Sequence, residues 1–187
     1  GVNPAWNVSD VITVTVSDGG GSGVGATTYW GFSADATCDG TDTYPNTGLT
    51  TTVNTDHADY VCFRNTDVVG NIGYSAAIGP LRVDVSAPIV TFNNPAAASW
   101  QGAAGFNINI SDSDAASGLA SCEYMVESKN GPWGQTLGWT ARTCNSATSA
   151  NITVGAAANC RNQGASLCRV SVRATDVAGY TSAVKMS

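Results

Sequence analysis

The amino-acid sequence predicts an all-β fold of two tandem β-sandwiches. Three observations lead to this prediction: short runs of alternating apolar and polar residues, frequent turn residues between them, and an internal repeat. Alternation with a period of two is typical of antiparallel strands that have one buried face. No stretch of the chain keeps apolar residues at the three- and four-residue spacing of an amphipathic helix.

The repeat is visible when the sequence is aligned with itself. Trp6 falls on Trp100, 94 positions later, and Asp67 falls on Asp176, 109 positions later. The offset grows because the second copy carries extra residues in its middle. We expect these residues to form an insertion over about 126–168.

Matching strand patterns occupy matching positions in the two copies. The inward-facing residues of the first pattern are Ile12, Val14 and Val16 in the first copy and Phe106, Ile108 and Ile110 in the second. A later inward pair, Val61 and Phe63, is matched by Val170 and Val172. Each copy therefore predicts a set of half-buried antiparallel strands.

The segment VDVSAPIVTF joins the two copies, because one strand ends there, Pro88 interrupts the backbone and the next strand begins. We predict one domain over residues 1–86 and another over residues 87–187. The first copy has no counterpart of APIVTF before its NPAW start, so we expect its N-terminal strand to be missing. The second copy stops 11 residues after Asp176, so we expect its last strand to be clipped and the chain to belong to a longer array.

The repeated motifs TDVVG and TDVAG have Asp at the first position and Gly at the fourth position of a type I turn. We expect each motif to form the hairpin turn between the last two strands of its domain. These turn motifs, together with the motifs SD, SG and VDxxAP and a tyrosine, resemble the pattern of bacterial immunoglobulin-like repeats of secreted and cell-surface proteins. The resemblance covers nearly the whole chain as two copies and departs from the pattern at Tyr180, where Asn is expected.

This resemblance implies two tandem immunoglobulin-like β-sandwiches that lack catalytic residues. It also implies a stalk, adhesin or surface-layer segment. Such sandwiches host many functions, so the resemblance is more specific for the fold than for the role.

The amino-acid composition of the chain limits the kinds of partner that it can bind. Charged residues make up 12% of the chain and the net charge is −6. Nucleic-acid binding needs a basic face, so we expect no nucleic-acid partner. No apolar run is long enough to span a membrane, so we expect no direct membrane insertion.

Six widely spaced cysteines, none in a C-x-x-C pair, favour disulfides over a zinc site. The predicted disulfide cysteines are Cys38, Cys62, Cys122, Cys144, Cys160 and Cys168. The first two are expected to bond, and the nearest-neighbour pairs Cys122–Cys144 and Cys160–Cys168 are favoured among three possible connectivities in the second domain. Strand parity places Cys62 on the outward face of its strand. Disulfides indicate an oxidising compartment, and hence an extracellular or cell-surface location.

Four aspartates are expected to converge where the two domains join: Asp84, Asp112, Asp114 and Asp176. Carboxylate and carbonyl oxygens are the ligands that calcium prefers, so a calcium ion there is one hypothesis, and it is the only cofactor that the sequence suggests. The alternative is that each aspartate caps its own turn through hydrogen bonds to the backbone.

Trp133 and Trp139 lie in the expected insertion, where an exposed pair could stack on a sugar ring. The alternative, which we favour, is that they form a small core of the insertion. Three N-x-S/T sequons, which are possible glycosylation sites, occur at Asn7, Asn109 and Asn151.

Enzymatic chemistry finds no support in the sequence, because it has no paired glutamates, no glycine-rich phosphate loop before a helix and no Ser-His-Asp candidate beyond a single histidine, His57, which lies alone in a polar loop. We therefore expect a structural spacer or stalk segment of a long extracellular protein or fibre. Its expected partners are neighbouring repeats or subunits of the same protein. The alternative is an adhesin-type module that uses the insertion to bind surface glycans or proteins of a partner cell.

Overall fold

The computed structural model describes residues 5–94, 105–155, 159–162, 164 and 167–186. Within these residues the regular structure is entirely β, with thirteen strands whose ladders are all antiparallel. No helix in this part of the chain is long and apolar enough to cross a membrane. The chain divides into two compact units, a first unit Gly1–Val85 and a second unit Ser86–Ser187.

In its described residues the first unit has six strands in two sheets. The strands are β1 (Asp10–Thr13), β2 (Val24–Ser33), β3 (Asn46–Thr47), β4 (Thr50–Val53), β5 (Tyr60–Asp67) and β6 (Ile72–Tyr74). One sheet has only β1 and β4, and the other has the order β3-β2-β5-β6. The core between them is formed by Ile12, Val53, Val61, Phe63, Leu81 and Val83.

The second unit, as far as the structure describes it, has seven strands, also in two sheets. The strands are β7 (Ile89–Asn94), β8 (Phe106–Ser113), β9 (Leu119–Lys129), β10 (Trp133–Ala141), β11 (Ser146–Ile152), β12 (Cys168–Asp176) and β13 (Lys185–Met186). The sheets have the orders β11-β8-β7 and β10-β9-β12-β13. Their inner faces share an apolar core that includes Val90, Ile108, Ile110, Val126, Val170 and Val172.

Part of the insertion expected in the second copy forms strands of the two sheets. The region about 126–168 contains β10 and β11, which pair with β9 and β8. In the first unit, β3 and β4 pair with β2 and β1 in the same way. The additional residues therefore lie partly in longer strands and partly in a longer connection, because residues 153–167 join β11 to β12 where residues 54–59 join β4 to β5.

The first strand pattern differs from the sequence prediction in the first unit. β1 ends at Thr13, and the segment Val14–Asp18 lies outside any strand, although its side chains still alternate between half-buried and exposed positions, as a strand requires. The equivalent residues of the second unit, Ile108–Asp112, lie within β8 and pair with both β11 and β7. Alternation sets the direction of side chains, whereas a strand also needs a partner for its backbone.

The repeated turns lie where the sequence predicts them. β5 ends at Asp67, the amide of Gly70 donates to the Asp67 carbonyl, and β6 follows. In the second unit the amide of Gly179 donates to the carbonyl of Asp176 at the end of β12. Both glycines have φ near +100° (101° and 99°), which glycine adopts without a side-chain clash.

The first of these turns predicts a measurable pKa. The side-chain amide of Asn71 donates to the Asp67 carboxylate at 2.7 Å and holds its pKa below the usual value, with help from backbone amides of the turn. Replacing Asn71 with alanine is therefore expected to raise the pKa of Asp67 in a carboxylate NMR titration. An unchanged pKa would mean that the backbone amides of the turn and the side chain of Ser22 hold the carboxylate in its charged form without Asn71.

Candidate functional site

All six cysteines are bonded, in the pairs Cys38–Cys62, Cys122–Cys144 and Cys160–Cys168. Cys62 lies on the strand face opposite Val61 and Phe63, as parity predicts, yet it is 0% exposed. The disulfide attaches the segment after β2 to this outer face, and that attachment buries the sulfur. No free thiol remains, so cysteine chemistry does not contribute to a site.

Asp112 forms a buried ion pair with Arg142. The two guanidinium nitrogens Nη1 and Nη2 donate to Oδ2 and Oδ1 of Asp112 at 2.7 and 2.6 Å, and both side chains are 0% exposed. The amide of Asn145 also donates to Oδ2, at 2.8 Å. This bidentate geometry is the strong form of a charge-assisted pair.

The pairing removes Asp112 from the expected calcium ligands, because both of its oxygens already accept from Arg142. Asp112 lies close to Cys122 and Cys144 as well, but these sulfurs form a disulfide and offer no thiolate to a metal. Sequence reasoning did not identify Arg142 as the partner, since nothing in the spacing of the two residues links them.

Two of the expected ligands do come together in the second unit. A carboxylate oxygen of Asp114 and one of Asp176 lie within 4.8 Å of each other. Asp114 accepts from the amide of Gly118 at 2.7 Å, and Oδ1 of Asp176 accepts from the amide of Tyr180 at 2.9 Å. Asp84 belongs to the first unit, where it is fully buried.

Asp176 carries an unusual oxygen. The residue is 2% exposed, and its Oδ2 has no hydrogen-bond donor among the described residues. A buried carboxylate oxygen without a partner is costly, and proteins seldom retain one without a proton, an ion or a water to meet it. The carboxylate pair of Asp114 and Asp176 is therefore the best candidate for a cation site in the second unit.

Trp133 and Trp139 lie half-buried on β10, at the outer face of its sheet. The guanidinium carbon of Arg169 is 4.5 Å from the ring centre of Trp133, and that of Arg173 is 4.2 Å from the ring centre of Trp139. The rings therefore pack under arginines of β12 instead of forming the small separate core that we favoured.

Each of these arginines also meets a glutamate of β9. Arg169 Nε donates to Glu127 at 2.6 Å and lowers the pKa of that carboxyl, and Arg173 Nη2 lies 2.7 Å from Glu123. Two Trp–Arg–Glu stacks thus cross the sheet. Cation–π attraction stabilises such pairs on a partly exposed surface, where both tryptophans are half-buried.

The first unit has a related arrangement that sequence reasoning missed. The guanidinium carbon of Arg64 lies 5.3 Å from the ring centre of Tyr29 and 5.2 Å from that of Tyr44. Burial raises the pKa of Tyr44 to about 12. A signal was present, because Arg64 aligns with Arg173 in the repeat.

The remaining predicted residues are placed as follows. His57 is not isolated in its loop, because it stacks on Phe32 with ring centres 3.9 Å apart and hydrogen-bonds to Asp59 at 2.9 Å. The three sequon asparagines lie in both units: Asn7 and Asn109 are half-buried, and Asn151 is exposed. Trp6 is half-buried, whereas Trp100 lies outside the described residues.

No protein-family model matches the chain, and a comparison with curated proteins finds no relative. The function must therefore be argued from the molecule's own features.

Proposed function

We propose that this chain is a structural spacer segment of an extracellular or cell-surface protein, built from two immunoglobulin-like β-sandwiches. One observation carries the proposal: each compact unit has its own apolar core and at least one disulfide of its own. A disulfide within a unit limits how far that unit extends when it unfolds, which suits a segment that transmits tension.

Strand pairing supports the immunoglobulin-like assignment. In the second unit the first, second and fifth strands form one sheet, and the fourth, third, sixth and seventh form the other. Two antiparallel sheets connected in this order are typical of immunoglobulin-like sandwiches. The first unit repeats this pairing for the strands that it has.

The chemistry of the surface supports an extracellular location. The chain has three disulfides, which form and persist mainly in oxidising environments. Short strands rich in threonine, serine and asparagine give a polar exterior with few charges. Such a surface suits a segment whose role is to separate other parts of a protein.

The size of the native polypeptide tests the spacer proposal. On a denaturing gel we expect a band far above 19.0 kDa that survives reduction, because a spacer segment is one part of a longer covalent chain. A ladder that collapses on reduction would indicate subunits joined by disulfides. A single species of 19.0 kDa would contradict the spacer and favour the adhesin-type module, with the two Trp–Arg–Glu stacks as its first candidate surface.

We also propose that the carboxylates of Asp114 and Asp176 bind calcium. Their separation and the unpartnered oxygen of Asp176 support this proposal, since a calcium ion needs six to eight oxygen ligands that carbonyls and waters complete. A bound ion would stabilise the second unit by holding together the loop before β9 and the turn after β12. The participation of Asp84 stays a prediction of the sequence.

Replacing Asp176 with asparagine is expected to abolish the heat of calcium binding in calorimetry on chelator-treated protein. Asp67→Asn is the matched control, because both oxygens of Asp67 already accept hydrogen bonds within its own turn. This control should keep the heat of binding. Absence of heat with the unaltered chain, or equal loss in both variants, would overturn the calcium proposal.

A further inference from the structure

The TDVVG and TDVAG turns share the hydrogen bonds that join each aspartate to the residue four positions later. In the first unit the amide of Asn71 donates to Oδ1 of Asp67 at 2.8 Å, and the amide of Asp67 donates to the carbonyl of Asn71. In the second unit the amide of Tyr180 donates to Oδ1 of Asp176 at 2.9 Å, and the amide of Asp176 donates to the carbonyl of Tyr180. Asn71 and Tyr180 therefore hold equivalent places in the two turns.

The two turns differ in the side chain at this place. The side-chain amide of Asn71 donates to Oδ2 of Asp67 at 2.7 Å, so both oxygens of that carboxylate have donors. Tyrosine has no amide, and its single side-chain donor lies at the far end of the ring. Oδ2 of Asp176 has no donor among the described residues. The donor that Asp176 lacks is thus the one that Asn71 supplies in the first unit.

Burial increases the effect of this difference. Asp67 is half-buried, whereas Asp176 is 2% exposed. Water solvates an accessible carboxylate oxygen, but a buried oxygen without a donor raises the free energy of the folded state. The turn with the more buried carboxylate is therefore the one without the side-chain donor.

A second carboxylate lies beside the aspartate of the second turn. Oxygens of Asp114 and Asp176 lie within 4.8 Å of each other, and Oδ1 of Asp114 accepts from the amide of Gly118 at 2.7 Å. The repeat places the glycine run Gly19–Gly21 of the first unit where Asp114 lies in the second. Two carboxylates this close repel each other, and a cation between them removes the repulsion.

We propose that Tyr180 makes the second unit depend on calcium, and that an asparagine at this position would replace the ion. This role of Tyr180 rests on the calcium binding by Asp114 and Asp176 proposed above, and it adds the residue that decides whether the turn needs an ion. In the first unit the amide of Asn71 meets Oδ2 of the aspartate from within the turn. In the second unit calcium meets the equivalent oxygen, so only this unit needs the ion for its full stability.

Tyr180→Asn and Tyr180→Ala form a matched pair, because both remove the ring and only asparagine adds an amide. In the presence of chelator, we expect the second unit of Tyr180→Asn to unfold at a urea concentration about 1 M higher than that of Tyr180→Ala. The reason is that the amide restores a hydrogen bond to a buried carboxylate. Hydrogen exchange of peptides from β12 follows the unfolding of this unit in the intact chain.

Saturating calcium should change the two variants differently. The urea midpoint of Tyr180→Ala should rise, as in the unaltered chain, because Oδ2 of Asp176 still has no donor from the turn. The midpoint of Tyr180→Asn should stay the same, and its heat of calcium binding in calorimetry should be lost. A substitution that only damaged the turn would lower stability in chelator, so the higher midpoint of Tyr180→Asn separates replacement of the ion from simple disruption.

Two results would overturn this role of Tyr180. Equal midpoints of the two variants in chelator would mean that water or a proton already meets Oδ2 of Asp176. Equal calcium responses of the two variants would mean that the side chain at position 180 does not decide binding, and the calcium proposal would still stand. Absence of heat with the unaltered chain would instead overturn calcium binding itself, so the two failures are distinguishable.

Discussion

Replacing Arg142 with methionine is expected to lower the free energy of unfolding of the second unit by about 3–5 kcal/mol. The substitution keeps a long apolar side chain but removes both donors to Asp112, whose side chain is 0% exposed. The carboxylate would then be buried with the amide of Asn145 as its remaining donor in the described structure. Urea denaturation, followed by hydrogen exchange of peptides from each unit, measures the effect.

Arg173→Met is the matched control, because Arg173 pairs with Glu123 where both side chains are about a third exposed (32% and 30%). Its loss should cost less than about 1 kcal/mol, since water screens the pair. The double substitution of Arg142 by methionine and Asp112 by leucine should recover most of the lost stability, because no buried charge remains. Equal effects of the two single substitutions would contradict a buried ion pair.

Replacing both Cys38 and Cys62 with alanine is expected to lower the free energy of unfolding of the first unit by about 3 kcal/mol. The disulfide closes a loop with a sequence separation of 24, so its loss frees that loop in the unfolded chain. The first unit should be sensitive, because its core cluster has six buried residues in the described structure against eleven in the second unit. Thermal unfolding followed by circular dichroism measures the loss.

Reductant provides the control for this prediction. It should bring the first unit of the unaltered chain to the stability of the alanine variant and leave that unit of the variant unchanged. If the alanine variant were as stable as the oxidised chain, the disulfide would not constrain the unfolded state in the way proposed.

The sequence predicted the strands best where apolar alternation and a local partner coincide. Val61 and Phe63 are buried in β5, and Ile108 and Ile110 are buried in β8, as their periodicity requires. The prediction extended too far at Val14–Asp18, because the pattern reports the direction of side chains and not the presence of a neighbouring strand. The repeat therefore predicts which side chains face the core. Whether a segment joins a sheet depends on whether a neighbouring strand is present to pair with its backbone.

The contacts of the candidate calcium ligands were harder to predict from the sequence than the strands, for a physical reason. Asp112 and Arg142 are 30 residues apart and meet because β8 and the end of β10 converge, which no local spacing encodes. Their meeting explains why only two of the expected calcium ligands in the second unit, Asp114 and Asp176, come together. The stacking of arginines on Trp133 and Trp139 has the same origin, since it joins β12 to β10 across β9.

Stretching single molecules between their termini tests whether the chain is a spacer of two disulfide-closed sandwiches. We expect two discrete unfolding events, one for each unit. At about 3.5 Å per residue, reductant should lengthen the first extension by about 80 Å and the second by about 100 Å. These gains follow from the sequence separations of 24 in the first unit and of 22 and 8 in the second. Extension without discrete unfolding events, or extension lengths that reductant leaves unchanged, would contradict a spacer of two disulfide-closed units.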